Sequence, residues 1–322
     1  MTPPSLRALA RNAVAVICLV GTFLYFSSTV GDAFDIDNLL NVGGQAAPLG
    51  LVALGQLTVV LTGGFDISVG SIAALSAVTT ALSVGAVGPV GVLAGPLTGL
   101  ACGVVNGVVI GRFGIQPIVA TLGMLSVARG LATLISGERA VIIEGENPLA
   151  DLGYGSVGAV PIGLLVLLAL TGVLALVLRR LRIGRRVYMI GSNPDGARLG
   201  GVSVIRTTVF AYAVSGLSAG MAALFFVGRA GGGLPTEANG LELQAIAAVV
   251  VGGAALTGAV GRPLFVLIGA LFIQLLSNGL NLTGTSPFEQ EIALGAVLVA
   301  AGLLDFAIRR VATANNPLRG TP

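Results

Sequence analysis

The sequence of 322 residues contains no histidine and no lysine, and it has only two cysteines. Zinc is held by clusters of Cys, His and acidic ligands, so this composition argues against a zinc site. A phosphate-binding P-loop needs its lysine, so the chain does not bind ATP in that way itself. Cys18 and Cys102 both lie in apolar runs, which favours two small buried side chains over a disulfide.

Charge is scarce as well. Only 10% of the residues are charged and 55% are hydrophobic, and the mean hydropathy is +0.97. A soluble domain carries about 25% charged residues, so the composition predicts an all-α polytopic membrane protein. All 17 basic residues are arginines and the net charge is +3. This charge suits anchoring on the cytoplasmic side of a membrane better than binding to nucleic acid.

Ten apolar stretches predict ten membrane-spanning helices. Arg7 and Arg11 precede the first stretch, and because no Ala-x-Ala-like cleavage site follows, we interpret it as an uncleaved helix. Segments 31–45 and 137–160 are then external, whereas 111–114 and 179–208 are cytoplasmic. Fourteen of the 17 arginines fall on the cytoplasmic side, which predicts that both termini are cytoplasmic. The predicted spans are 12–30, 46–62, 71–88, 89–110, 115–135, 161–178, 209–227, 243–257, 263–282 and 292–307.

The sequence also repeats itself at an offset of 172–174 residues. Residues 72–74 recur at 246–248, 106–107 at 278–279, and 127–131 largely at 299–303. Each half holds five predicted spans, and an odd number places the halves in opposite orientation, as in many transporters. We therefore expect one permease domain, 1–322. Its two inverted repeats cover about 38–135 and 209–307, and residues 136–208 join them.

Each half carries an interrupted span. Gly63 and Gly64 break the first helix, and Ser68 or Asp66 can cap the helix that restarts. A carboxylate at a helix centre in a membrane costs about 2.5–3.5 kcal/mol, so Asp66 needs a role, either as a cap or in a hydrophilic path. The repeat places Asp66 opposite Asn239, within a second Gly- and Pro-rich break at 231–240. Paired breaks of this kind are the best sequence pointer to a translocation path.

Further polar residues lie within or beside the predicted spans, including Gln56. As a set they suit a neutral, hydroxyl-rich solute better than an ion, because almost no charge accompanies them. For each one, an interhelical hydrogen bond worth about 0.6 kcal/mol is the alternative role. The predicted path residues are Gly63, Gly64, Asp66, Ser68, Asn106, Gln116, Thr121, Asn239, Gln244, Gln274 and Asn278.

A short helix is predicted in the long cytoplasmic segment. Asn193 is a good N-cap, Pro194 suits the first helical position, and Asp195 complements the helix dipole. Gly200 or Gly201 can end this helix after two turns at most, which is too short to be stable alone. Such a segment is either a docking element for another protein or a surface turn.

These residues carry a family resemblance. Gly63-Gly64-x-Asp66-x-Ser68-Val69-Gly70-Ser71, then Gln116-Pro117-x-x-Ala120-Thr121-Leu122, resemble the ribose/xylose-type permease family of bacterial ABC sugar importers. So do Gly191-x-Asn193-Pro194-x-x-Ala197-Arg198-x-x-Gly201 and Glu242-Leu243-x-x-Ile246-Ala247-Ala248-Val249-Val250-x-Gly252-Gly253. The resemblance covers about residues 46–305.

The resemblance implies a partnership. A second permease copy, cytoplasmic ATPase subunits that bind ATP and Mg, and an extracytoplasmic sugar-binding protein would complete the transporter. The segment from Asn193 to Gly201 would be its coupling helix, with Asn193, Pro194, Asp195, Ala197, Arg198 and Gly201 as the matching residues. Gly196 stands where the family has a helix-favouring residue, which costs roughly 1 kcal/mol if it is exposed.

We therefore expect a non-enzymatic, cofactor-free permease subunit that moves a monosaccharide across the inner membrane of a bacterium. Import of nucleosides or branched-chain amino acids by the same superfamily stays open. A self-sufficient secondary transporter would need a coupling acid deep in a span, for which Asp66 is the one candidate. An intramembrane enzyme would need convergent catalytic groups, and the sequence offers none.

Overall fold

The computed structural model describes residues 6–314, and helices account for most of them. A helix stands at the position of each predicted span, although the one at 243–257 is short. Short elements lie between them, including two small antiparallel strand pairs. The helices are α1 Leu6–Val30, α2 Ile36–Leu61, α3 Val69–Val87, α4 Ala94–Phe113, α5 Pro117–Ser136, α6 Ala150–Tyr154, α7 Ile162–Arg180, α8 Arg182–Ser192, α9 Pro194–Leu199, α10 Val204–Ala230, α11 Leu241–Val251, α12 Pro263–Leu282 and α13 Pro287–Ala314. The strands are β1 Val141–Ile142, β2 Ser156–Val157, β3 Val160–Pro161 and β4 Gly232–Gly233.

Seven stretches of the described chain are long and apolar enough to cross a membrane. One of them, Val69–Phe113, contains both α3 and α4, joined by a 3-10 turn at Gly88–Leu93. The prediction of a helical, polytopic membrane protein is therefore confirmed. Helix α11 has only 11 residues and does not count among the seven.

Two sequence-based boundaries were wrong. Residues 36–45 are not a connection but the first turns of α2, which begins after Asp35 because the Asp35 carboxylate accepts a hydrogen bond from Asn38 N. Segment 179–208, predicted to be a cytoplasmic loop around one short helix, also contains α8. Helix α8 buries Gly184, Val187 and Ile190 on one face and exposes arginines on the other, a pattern typical of an amphipathic helix.

Helix α2 forms the centre of the structure. It packs against α7, α10, α11 and α12, and 94% of the residues in its most apolar 18-residue stretch are buried. A helix that is apolar all round buries all its faces in the protein interior, which fits this position.

Helices α4 and α10 pack with their main chains in contact. Gly95, Gly99, Gly103, Gly107 and Gly111 recur every four residues along α4. A Cβ atom at Gly99 would lie 2.2 Å from the Gly216 carbonyl oxygen in α10, and one at Gly103 would lie 2.2 Å from the Tyr212 carbonyl oxygen. This spacing is typical of membrane helices that approach closely through small residues.

We expect Gly99→Ala to lower the free energy of unfolding by about 1–3 kcal/mol, because the added methyl group meets main-chain atoms that have no room to retreat. Thermal unfolding in detergent measures the effect. Gly172→Ala on α7 is the matched control, since a Cβ atom there meets nothing within 4 Å. A methyl group at Gly172 adds helix propensity only, so equal destabilisation by both changes would contradict the packing argument.

Candidate functional site

The first break separates α2 from α3 at residues 62–68. Gly63 has φ +84°, and Gly64 N donates to Val59 O at 3.2 Å, so the end of α2 is closed by its own main chain. A Cβ atom at Gly64 would lie 2.6 Å from the Tyr212 hydroxyl oxygen. Glycine at this position is therefore a requirement of close packing against α10.

The Asp66 side chain is fully buried within the first break, and three donors satisfy it. Its Oδ1 accepts hydrogen bonds from Ser68 N, at 3.0 Å, and from Ser68 Oγ. Its Oδ2 accepts one from Ser215 Oγ on α10 at 2.8 Å. Asn106 Nδ2 on α4 donates to Ser68 Oγ at 3.0 Å. Asp66 thus ties the break to α10, and Ser68 ties it to α4.

The main chain of the same break is satisfied from α2 and α10. In the orientation that suits both groups, the Gln56 amide donates to Asp66 O at 3.1 Å and accepts from Asp66 N at 3.2 Å. The Tyr212 hydroxyl donates to Phe65 O at 3.1 Å. Buried main-chain groups without partners are costly, so these two side chains stabilise an irregular segment inside the protein.

The second break, residues 231–240, lies between α10 and α11. Strand β4 pairs with β1, with Val141 opposite Gly233 and Ile142 opposite Gly232. Arg129 Nη1 on α5 donates to Pro235 O at 2.7 Å and to Glu237 O at 3.1 Å. Burial raises the pKa of the Glu237 carboxyl above its ordinary value. An arginine from a neighbouring helix thus holds the turn that follows the strand pair.

The second break touches the start of α3, directly after the first break. A Cβ atom at Gly70 would lie 2.3 Å from Glu242 Oε2 and 2.6 Å from the Ala238 carbonyl oxygen. Ala238 has φ +59°, so the second break reaches this contact in a left-handed conformation. The segments that the internal repeat pairs in sequence are therefore neighbours in space.

The predicted path residues form two groups, with others apart. Asp66, Ser68 and Asn106 share the buried network at the first break. Asn278 exchanges two amide hydrogen bonds with Asn38 of α2, at 2.9 and 3.1 Å, and Gln274 Nε2 lies 3.5 Å from Gln45 Oε1. Thr121 is buried and donates to Pro117 O within α5. The residues that lie apart are Gly63, Gln116 and Asn239, which are exposed, and Gln244, which is half-buried.

Sequence reasoning missed Ser215 and Tyr212, which complete the Asp66 network. Both lie on α10, about 150 residues from the break, and a serine or tyrosine in an apolar helix gives no local signal of such a contact. Only their position on the helix face towards the first break makes them members of the site.

The predicted coupling segment forms the six-residue helix α9. The Asn193 side chain accepts from Gly196 N at 2.9 Å, as expected of an N-cap. Ala197 is buried in a small apolar cluster with Ile190 and Val202. Asn193, Pro194, Asp195, Arg198 and Gly201 are exposed, as is Leu199, which has 90% of its surface accessible.

Helix α8 connects this segment to the first break through Gly191. A Cβ atom at Gly191 would lie 1.9 Å from the Leu61 carbonyl oxygen and 2.6 Å from Ala259 N. Ala259 N donates to the same Leu61 oxygen at 3.0 Å, and the Tyr188 hydroxyl donates to Gly261 O at 2.8 Å. Three main-chain segments therefore meet three residues before α9.

Comparison with known proteins assigns the family. The model for the permease component of branched-chain amino acid transport systems matches residues 38–302. The chain belongs to this permease family. The match confirms the family predicted from the motifs around Asp66, Asn193 and Glu242.

Curated relatives resemble this permease over most of its length. The ribose import permease protein of Escherichia coli (strain K12) is 36% identical over 306 residues, 93% of this chain and 95% of the relative. The L-arabinose transport system permease protein of the same organism is 37% identical over 270 residues, 83% and 82%. The ribose import permease protein of Bacillus subtilis (strain 168) is 38% identical over 271 residues, 83% and 84%. No solved structure matches the chain significantly.

We expect Ser215→Ala in the permease to lower the free energy of unfolding by about 1–3 kcal/mol, because a buried carboxylate oxygen loses its donor. Ser76→Ala is the matched control, since both hydroxyls are buried, but that of Ser76 has no hydrogen-bond partner within residues 6–314. Thermal unfolding of both variants in detergent makes the comparison. If Ser76→Ala is as destabilising as Ser215→Ala, the Asp66 network does not stabilise the fold.

Proposed function

We propose that this chain is the permease subunit of an ATP-binding-cassette importer that moves a monosaccharide across the inner membrane of a bacterium. Relatives named for ribose and L-arabinose cover nearly the whole chain, which supports both the transporter class and the substrate class. The geometric observation that carries the proposal is the exposed helix α9, joined by Gly191 to the first break. An exposed two-turn helix suits docking to an ATPase.

The proposed topology has ten membrane crossings with both termini in the cytoplasm. A helix at each predicted position supports this number, and the arginines between α7 and α9 support the orientation. Inverted repeats at about 38–135 and 209–307 within one domain account for the two breaks, the second of which packs against Gly70 just after the first.

The proposed partners are two ATPase subunits, a second permease copy and an extracytoplasmic sugar-binding protein. Nucleic acid is not among the proposed partners. ATP and Mg would bind to the ATPase subunits, so this chain needs no cofactor and acts as a transport subunit. In α9, the apolar contact of Ala197 holds the helix on the permease, while Pro194, Asp195, Arg198 and Leu199 remain exposed for the partner.

The coupling mechanism follows from the junction at Gly191. When ATP closes the ATPase subunits, α9 moves with them, and α8 transmits the displacement to Leu61 and Ala259. Because main-chain atoms meet there without side chains between them, a shift of α8 moves the end of α2 rather than being absorbed. Leu61 directly precedes the first break, and that break contains the path residue Asp66.

The substrate class is argued from the relatives and the polar residues. Three substrate classes are open to the superfamily: branched-chain amino acids, for which the family model is named, nucleosides and sugars. The relatives described above are named for two sugars, ribose and L-arabinose. Amide and hydroxyl side chains dominate the predicted path, which suits a neutral polyol. A self-sufficient secondary transporter would take up sugar in vesicles without any ATPase, and this assay separates the two mechanisms.

We expect Arg198→Glu to abolish the sugar-stimulated ATPase activity of the reconstituted transporter while the permease still inserts, because the reversed charge stands on the exposed face of α9. ATP hydrolysis with and without sugar-loaded binding protein is the measurement. Arg139→Glu, an equally exposed arginine in the external segment, is the matched control and should leave stimulation intact. Normal stimulation of Arg198→Glu would remove α9 from the coupling role.

We expect Gly191→Ala to reduce stimulated ATP hydrolysis by about tenfold or more, because the methyl group forces α8 away from Leu61 and Ala259. Gly200→Ala is the control in the same segment, since its Cβ atom would meet neighbours at the ordinary distances of 3.4 and 3.5 Å. Sugar uptake into vesicles should fall in parallel. Wild-type coupling in Gly191→Ala would show that the junction transmits nothing.

A further inference from the structure

A polar cavity of about 490 Å³ opens at the other end of α2 from the first break. Asp37, Asn41 and Gln45 line one wall, and their spacing of four residues places them on a single face of α2. Gly153, Tyr154, the β2–β3 hairpin and Arg229 of α10 also line the cavity. The volume falls within the range of ligand pockets, roughly 300–1,000 Å³.

Arg229 is fixed in this cavity by a main-chain acceptor that the proline in α2 leaves free. Pro48 lacks an N–H group, so the Gly44 carbonyl has no donor from the next turn of the helix. Arg229 Nη2 donates to this oxygen at 3.1 Å, and Arg229 Nε donates to Gly153 O at 3.4 Å. The Tyr154 hydroxyl donates to the Arg229 carbonyl oxygen at 2.9 Å. Contacts within the protein therefore hold Arg229, Gly153 and Tyr154 in place without a ligand.

The lining selects a neutral, hydrogen-bonding ligand. Among the described residues that line it, Asp37 and Arg229 carry opposite charges, so the formal charge sums to zero. The amides of Asn41 and Gln45 each donate and accept hydrogen bonds, as neighbouring sugar hydroxyls require. Two of the five donors of Arg229 are already used by main-chain oxygens, which reduces its attraction for a carboxylate. Leu40 and Pro161 offer apolar surface for the C–H groups of a ring.

The cavity also adjoins the predicted path. Gln45 lines it, and Gln45 Oε1 lies 3.5 Å from Gln274 Nε2 on α12. Asn278, one turn further along α12, pairs with Asn38 on the neighbouring face of α2. A ligand in the cavity therefore lies next to the amide pairs that join α2 and α12.

We propose that this cavity is a sugar site in the permease itself, where a neutral monosaccharide binds as it enters the path between α2 and α12. The inference rests on the proposed function, which supplies the ligand class and places this end of α2 outside the cell. This low-affinity site acts in addition to the sugar site of the separate binding protein.

Saturation-transfer NMR on the full transporter in nanodiscs, without binding protein, tests the site. D-ribose, L-arabinose and D-xylose are offered singly at millimolar concentration, with L-leucine as the zwitterionic probe. We expect transfer to at least one sugar and none to L-leucine. Asn41→Leu should weaken sugar binding about fivefold or more, because it removes hydrogen bonds and keeps a similar volume.

Asn281→Leu is the matched control, since Asn281 is an exposed amide on α12 outside the cavity lining, and it should bind sugar as the wild type does. Melting temperatures verify folding, and Gln45→Leu replaces Asn41→Leu if the latter unfolds. Transfer to no sugar, transfer to L-leucine instead, or equal loss in Asn281→Leu would overturn the inference. If loaded binding protein still stimulates ATP hydrolysis in the same wild-type preparation, only the cavity site fails and the proposed function stands.

Discussion

An interrupted helix inside a membrane protein leaves main-chain N–H and C=O groups that neither lipid nor apolar side chains can satisfy. Every irregular segment near the centre of this permease meets that constraint with a polar side chain from another helix. Gln56 and Tyr212 serve the first break, Arg129 serves the second, and Arg229 serves the Gly44 carbonyl, which Pro48 leaves without a helical donor. The cost of burying these polar groups is offset because each has its own partner.

The same constraint explains two arginines in apolar helices. Arg129 lies within α5 and Arg229 at the end of α10. Arg129 donates to two carbonyl oxygens of the second break. Arg229 donates to Gly153 O and to Gly44 O, which Pro48 leaves without its helical donor. The placement of both arginines therefore follows from a local need for hydrogen-bond donors.

Sequence reasoning located both breaks because glycine, proline and polar residues cluster in otherwise apolar spans. The helix bounds followed hydropathy, so the polar start of α2 was placed in a connection, although Asp35 and Asp37 form a typical helix beginning. The amphipathic helix α8 was overlooked because its arginines were interpreted only as an orientation signal. Partners such as Ser215 could not be predicted, since one serine in α10 has no sequence feature that links it to Asp66.

The state of Asp66 bears on the energy source for transport. A carboxylate that couples proton flow must exchange its proton with water, and its oxygens must be free to do so. Asp66 is fully buried, and three hydrogen bonds from Ser68 and Ser215 occupy its two oxygens. The residue therefore fits a positioning role at the first break better than a proton-coupling role.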